Sequence, residues 1–168
     1  MRHRAGRNRA GRMRALILPL FLVLAPKPAE ALLCGTILDP LSVSSTTLTF
    51  GNYLAASQST ANHTVTVSCG LGLDLLPSFT VALSAGHATN FAPRKMAFGA
   101  KTLNYNIYTT SGFASVWGDA SGGTVTQSYN GSILSLGSTT FTGYGRVPAG
   151  QYVAPGGYTD TLTVTVTF

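Results

Sequence analysis

Hydrophobic and polar residues alternate most regularly at the end of the chain, where Leu162, Val164, Val166 and Phe168 interleave with Thr161, Thr163, Thr165 and Thr167. Successive side chains of a strand point to opposite faces, so Tyr158 to Phe168 predicts a strand with one apolar face and one threonine face. The same period of two recurs upstream. It predicts strands at Thr47–Phe50, at His63–Cys69 with Val65, Val67 and Cys69 on one face, and at Ser78–Ser84 with Phe79, Val81 and Leu83 inward. It returns at Leu103–Tyr108 through Leu103, Tyr105 and Ile107, and further strands are expected over Thr124–Tyr129 and Phe141–Val147, with a short edge strand at Arg94–Phe98.

Turn signals separate these runs. Asp39-Pro40, Gly51-Asn52, Ser121-Gly122-Gly123 and Asn130-Gly131 mark turns, residues 55–62 read as a polar loop, residues 70–77 break the pattern, and prolines and glycines fill 148–157. Seven to nine short strands without a helical period imply an all-β fold, a β-sandwich, with a closed barrel as the other architecture this periodicity allows.

The N-terminal stretch follows a different pattern. Six arginines between Arg2 and Arg14 precede an apolar run from Ala15 to Ala25, and Ala29-Glu30-Ala31 supplies a small-x-small cleavage pattern. Residues 1–31 therefore read as a secretory signal peptide, with Met13 a second candidate start. The apolar run is about half the roughly 20 residues a membrane span needs, and Pro19 interrupts it. Leu33 is too bulky for a lipid-attachment signal at Cys34. The remaining domain, 32–168, has 137 residues, enough for one core.

Setting the leader aside changes the electrostatics. The whole chain has eleven basic and five acidic residues, but seven of the basic ones and Glu30 lie in the leader, so the mature domain is left with four of each sign. A nucleic-acid partner, which needs a basic face, loses its support. The two cysteines, Cys34 and Cys69, most simply form one disulfide in an exported chain, the alternative being a metal pair that lacks further ligands. Closing a loop of about 36 residues would stabilise the fold by roughly 3–4 kcal/mol.

Catalytic chemistry is sparse. The mature chain has no glutamate and only His63 and His87, whose spacing matches no metal site and which read as surface or loop residues. No serine sits in a nucleophile elbow. The expectation is no enzyme, no metal and no cofactor. Arg94 and Arg146 are expected in structural salt bridges with Asp119 or Asp160. Trp117 and the tyrosines at 53, 105, 108, 129, 144, 152 and 158 read mainly as packing residues, with Trp117 the candidate for a surface aromatic contact in a lectin-like module.

Cys34, T-L-T-F-G-N-Y at 47–53, T-V-T-V-S-C at 64–69, F-T-V-A-L-S-A-G at 79–86, L-N-Y-N-I-Y at 103–108, V-W-G-D at 116–119, Y-G-R-V-P-A-G at 144–150 and G-Y-T-D-T-L-T-V-T-V-T-F at 157–168 together resemble the spore coat protein U family. That family is similar to subunits of archaic chaperone–usher pili. The resemblance implies an incomplete immunoglobulin-like β-sandwich lacking one strand. Its groove, lined by Leu162, Val164, Val166 and Phe168, is filled first by a periplasmic chaperone and then by the N-terminal extension of another pilin subunit. Export through the periplasm and an outer-membrane usher to the cell surface is implied with it, in a pilus or a coat. Strand addition draws affinity from backbone hydrogen bonds and register from alternating pockets, and an unfilled groove is an aggregation hazard. Cleavage after Ala31 leaves only Leu32 and Leu33 before Cys34, so the expectation is a terminal subunit that accepts a strand without donating one. The competing class is a secreted lectin-like binding module.

Overall fold

The computed structural model describes residues 41–69, 78–130 and 137–168. The leader, Cys34, the break at 70–77, Gly131 of the Asn130-Gly131 turn and the side chain of Cys69 lie outside the described residues. Among the described residues the chain is all-β, with eight strands: β1 Leu41–Ser45, β2 Ser59–Cys69, β3 Phe79–Leu83, β4 Arg94–Phe98, β5 Lys101–Tyr108, β6 Gln127–Tyr129, β7 Ser138–Val147 and β8 Val164–Thr167. Two sheets form, one of five strands in the order β1-β2-β7-β5-β4 and one of three in the order β6-β3-β8. Every named pairing is antiparallel.

The alternating positions explain the layers. Val65, Val67, Phe79, Val81, Leu83, Leu103, Tyr105, Ile107 and Val147 are buried between the sheets, while the intervening threonines and serines face outward. Outward hydroxyls pair across strands, as between Thr66 and Thr140 at 2.9 Å and between Ser42 and Ser68 at 2.9 Å. Such cross-strand pairs are the side-chain unit of sheet stability. β1 lies beside β2 with Leu41 opposite Cys69.

Several strands differ from expectation: β1 falls in a segment where none was expected, β6 is shorter and β7 longer than expected, and three further departures shape the fold. β2 starts at Ser59, inside the expected polar loop, because Ala61 and Asn62 pair with Gly145 and Tyr144 of β7. Thr47–Phe50 is not a strand of either sheet. Thr46 N still reaches Thr64 O at 3.0 Å, after which the chain swings across the sheet face and lays Leu48 and Phe50 over Gly145. The terminal run keeps its alternation, but only β8 is a regular strand; residues 158–163 are held by separate bonds, Thr159 to Ala97 and Ser84 N to Thr163 O. No helix among the described residues is long and apolar enough to cross a membrane.

Candidate functional site: an open groove between the sheets

The two departures from regular sheet lie on opposite sides of one groove enclosing about 1180 Å³. One wall is the segment 45–54 after β1, the other the segment 153–164, and the floor is apolar, with Leu83, Met96, Leu103, Ile107 and Val147. β8 pairs with β3 on one side only. Among the described residues no strand pairs with the outer side of β8, so its backbone edge is left open beside an apolar trough.

The walls are braced. On the first, Ser59 Oγ donates to Phe50 O at 2.8 Å, and the Phe50 ring meets Tyr105 edge-on at 5.9 Å. On the second, Asp160 interrupts the inward apolar row and acts as a clasp. Its carboxylate accepts from His87 N at 2.7 Å, from Thr161 N at 2.8 Å and from the Tyr105 hydroxyl at 2.7 Å. One side chain thereby ties this wall to the β3–β4 connection and to the opposite sheet. Burial, with the bond to Asp160 and its charge, pushes the Tyr105 phenol well above its ordinary range and keeps it a donor. Gly86, at φ +68°, leaves room for this clasp, since a side chain there would collide with Asp160 and Leu162.

Leu162 and Val164 line the second wall. Val166 packs against the core beyond the groove's end, and Phe168, 59% exposed, sets its ring 5.7 Å from Phe79. The expected lining row is therefore split: β8 continues past the trough and joins the far end of the sandwich.

Four other expectations need correction. Trp117 is fully buried and offers no surface contact; its indole Nε1 donates to Val81 O at 2.8 Å, so even its polar edge is used internally. His63 is not a surface residue. It is 5% exposed, lines the groove floor and stacks on Trp117 at 5.7 Å. Its ring covers Gly143, and its buried Nε2 has no hydrogen-bond partner. Burial first, and then the charge of Arg94, hold its pKa below the ordinary 6.5 and so favour the neutral ring.

Arg94 makes no salt bridge with Asp119 or Asp160. It is fully buried, and its guanidinium donates to Ser84 O at 2.9 Å, Asn106 Oδ1 at 2.9 Å, Trp117 O at 2.7 Å and Leu83 O at 3.4 Å. A planar fork of five donors suits a site where several backbone carbonyls converge. Burial draws its pKa down to about 10, partly offset by Tyr105, Asp160 and Asp119. Arg146 likewise meets no acid among the described residues; it lies over the rings of Tyr108 and Phe113 at 5.0 and 4.8 Å and donates to the Tyr108 hydroxyl at 3.1 Å. His87 is exposed, as expected, and Asp119 is held below the usual carboxylate range by the hydroxyl and then the amide of Ser121. No three His, Cys, Asp or Glu side chains gather as a metal site among the described residues.

The model of the Spore Coat Protein U domain matches residues 34–165, most of the chain. The chain belongs to the Spore Coat Protein U domain family. No curated protein matches the sequence. Among solved structures, this Spore Coat Protein U domain is similar to a chain in the crystal structure of the CsuC–CsuE chaperone–tip adhesion subunit pre-assembly complex from the archaic chaperone–usher Csu pili of Acinetobacter baumannii. The identity is 21% and the TM-score 0.54, over 79% of this chain and 40% of that one. The likeness is one of fold, and the Spore Coat Protein U domain spans about two fifths of that neighbour's length.

Proposed function

We propose that this chain is a structural subunit of an extracellular pilus or coat, assembled by strand insertion on the chaperone–usher route. A periplasmic chaperone fills the groove first, and a neighbouring subunit's extension replaces it. The observation that carries this reading is the free edge of β8 beside an apolar trough that is also lined by the segment Thr47–Phe50, which belongs to neither sheet. An eight-residue strand spans about 27 Å, and its alternate side chains would enter the apolar trough. The reading is structural rather than enzymatic, and it places the chain at the cell surface after export. The lectin-like alternative rested on Trp117 and nearby tyrosines, and of these Trp117 is buried. Cys34 and Cys69 are proposed as a disulfide tying the start of the domain to the end of β2.

The test is thermal unfolding of the mature chain with synthetic peptides of alternating apolar residues. A strand peptide at about 100 times its Kd adds about 2.7 kcal/mol, which for a domain of this size raises Tm by about 8–10 °C. A scrambled peptide of the same composition should do nothing. If neither the alternating peptides nor candidate subunit extensions move Tm, the acceptor reading fails.

A further inference from the structure

Among the described residues the most exposed large apolar side chains are Tyr152, 92% exposed, and Leu54, 69% exposed. They stand on two loops at the same end of the sandwich, joined by a bond from Gly150 N to Ala55 O at 2.8 Å. The loops are firmly held. The Tyr53 hydroxyl donates to Pro148 O at 2.8 Å and accepts from Gln151 N at 3.0 Å. The Gln151 amide then grips Asn104 of β5 twice, accepting from its N at 2.8 Å and donating to its O at 2.9 Å. Each exposed apolar residue thus adjoins a hydrogen-bonded anchor, Leu54 beside Tyr53 and Tyr152 beside Gln151. Holding bare apolar side chains on fixed backbone lowers the ordering cost of a contact. Neither 51–58 nor 148–157 contains a charged residue, so the surface suits an uncharged, apolar partner.

Its position says which partner. Leu54 and Val153 both line the groove, so the exposed pair begins where the trough opens. β8 is the regular edge, and a strand added to it pairs best antiparallel. Such a strand enters at the Phe168 end and leaves near Thr159. Thr159 pairs with Ala97, and Ala97 with Thr102, two residues from the Asn104 that Gln151 grips. A domain that follows the inserted strand in its own chain therefore emerges beside Leu54 and Tyr152.

We propose that Leu54 and Tyr152 form a docking surface for the folded body of the neighbouring subunit whose strand occupies the groove. This rests on the strand-acceptor reading above. The contact supplements the inserted strand and fixes the angle between successive domains.

Site-specific photo-crosslinking of the full chain, made and exported in its own cells, tests it. Tyr152→p-benzoylphenylalanine reports the proposed surface, and Thr49→p-benzoylphenylalanine, on the groove wall, reports strand insertion. Both should give adducts with another subunit, and adding Leu54→Ser should lower the Tyr152 adduct at least fivefold while leaving the Thr49 adduct unchanged. A subunit adduct at Thr49 alone overturns the docking surface and leaves the acceptor reading standing. No adduct at either position removes both. A Tyr152 adduct with lipid, glycan or a protein that is not a subunit overturns the proposal, as does a Tyr152 yield indifferent to Leu54→Ser.

Discussion

Gly143 and His63 face each other across β2 and β7, and the imidazole occupies the space a side chain at 143 would need. A methyl group at 143 would press into Nε2, come within 2.5 Å of His63 Cδ2 and lie 3.0 Å from Ile107 Cγ2. The ring is held on one side, where it stacks on Trp117, itself fixed by Val81 O. Gly143→Ala should therefore cost about 2–3 kcal/mol, the upper part of the roughly 1–3 kcal/mol that overpacking a core costs. His63→Ala should cost a similar amount, about 2–3 kcal/mol, by opening a cavity over Gly143 and baring one face of Trp117. The double variant should be little worse than His63→Ala alone, since the new methyl enters the vacated space. A coupling of about 2 kcal/mol follows, well above the ~0.5 kcal/mol within which independent sites add. Urea unfolding followed by fluorescence is the assay, and Trp117, the chain's single tryptophan, is a direct reporter. Simple additivity of the two substitutions would refute the argument.

Three further outcomes are expected. Because the folded-state pKa of His63 lies below its unfolded value of 6.5, the unfolded chain binds the extra proton; stability should be flat above about pH 7 and fall as pH drops below 6.5, and His63→Leu should flatten that slope in a pH series of denaturation midpoints. Arg94→Lys keeps the charge but cannot reach four acceptors, and with one or two buried carbonyls left bare it should lose about 3 kcal/mol, or about 10 °C in Tm by calorimetry. Cys34→Ser should cost roughly 3–4 kcal/mol under oxidising conditions and nothing relative to the parent chain once reductant is added; equal stability in both buffers would argue against the disulfide.

Most core positions were legible because they are apolar at a period of two: Val65 and Val67; Phe79, Val81 and Leu83; Leu103, Tyr105 and Ile107. The same period, carried back two residues from Val65, also points His63 inward; reading histidine by its usual polarity hid that signal. Arg94 was obscured in the same way, since it shares a face with Met96. Asp160 sits in register with Leu162 and Val164, yet only the fold shows that Tyr105 and His87 N converge on it. Segment 47–53 could not be placed from its own pattern. Whether Leu48 and Phe50 belong to a sheet or lie across one depends on Gly145, nearly a hundred residues away.

The two walls of the groove also come from opposite ends of the described chain, Leu48 on one side and Leu162 on the other. A chain that crosses a membrane in order, N-terminus first, exposes the first wall, the floor and most of both sheets before the second wall exists. Contacts between segments so far apart in sequence form slowly, and partly finished sheets with open edges associate with one another in the meantime. If the chain is exported as proposed, the timing of export would bear on the fate of the molecule as much as its final contacts do. Until residues 153–164 had crossed, it would be a half-built container without a second side.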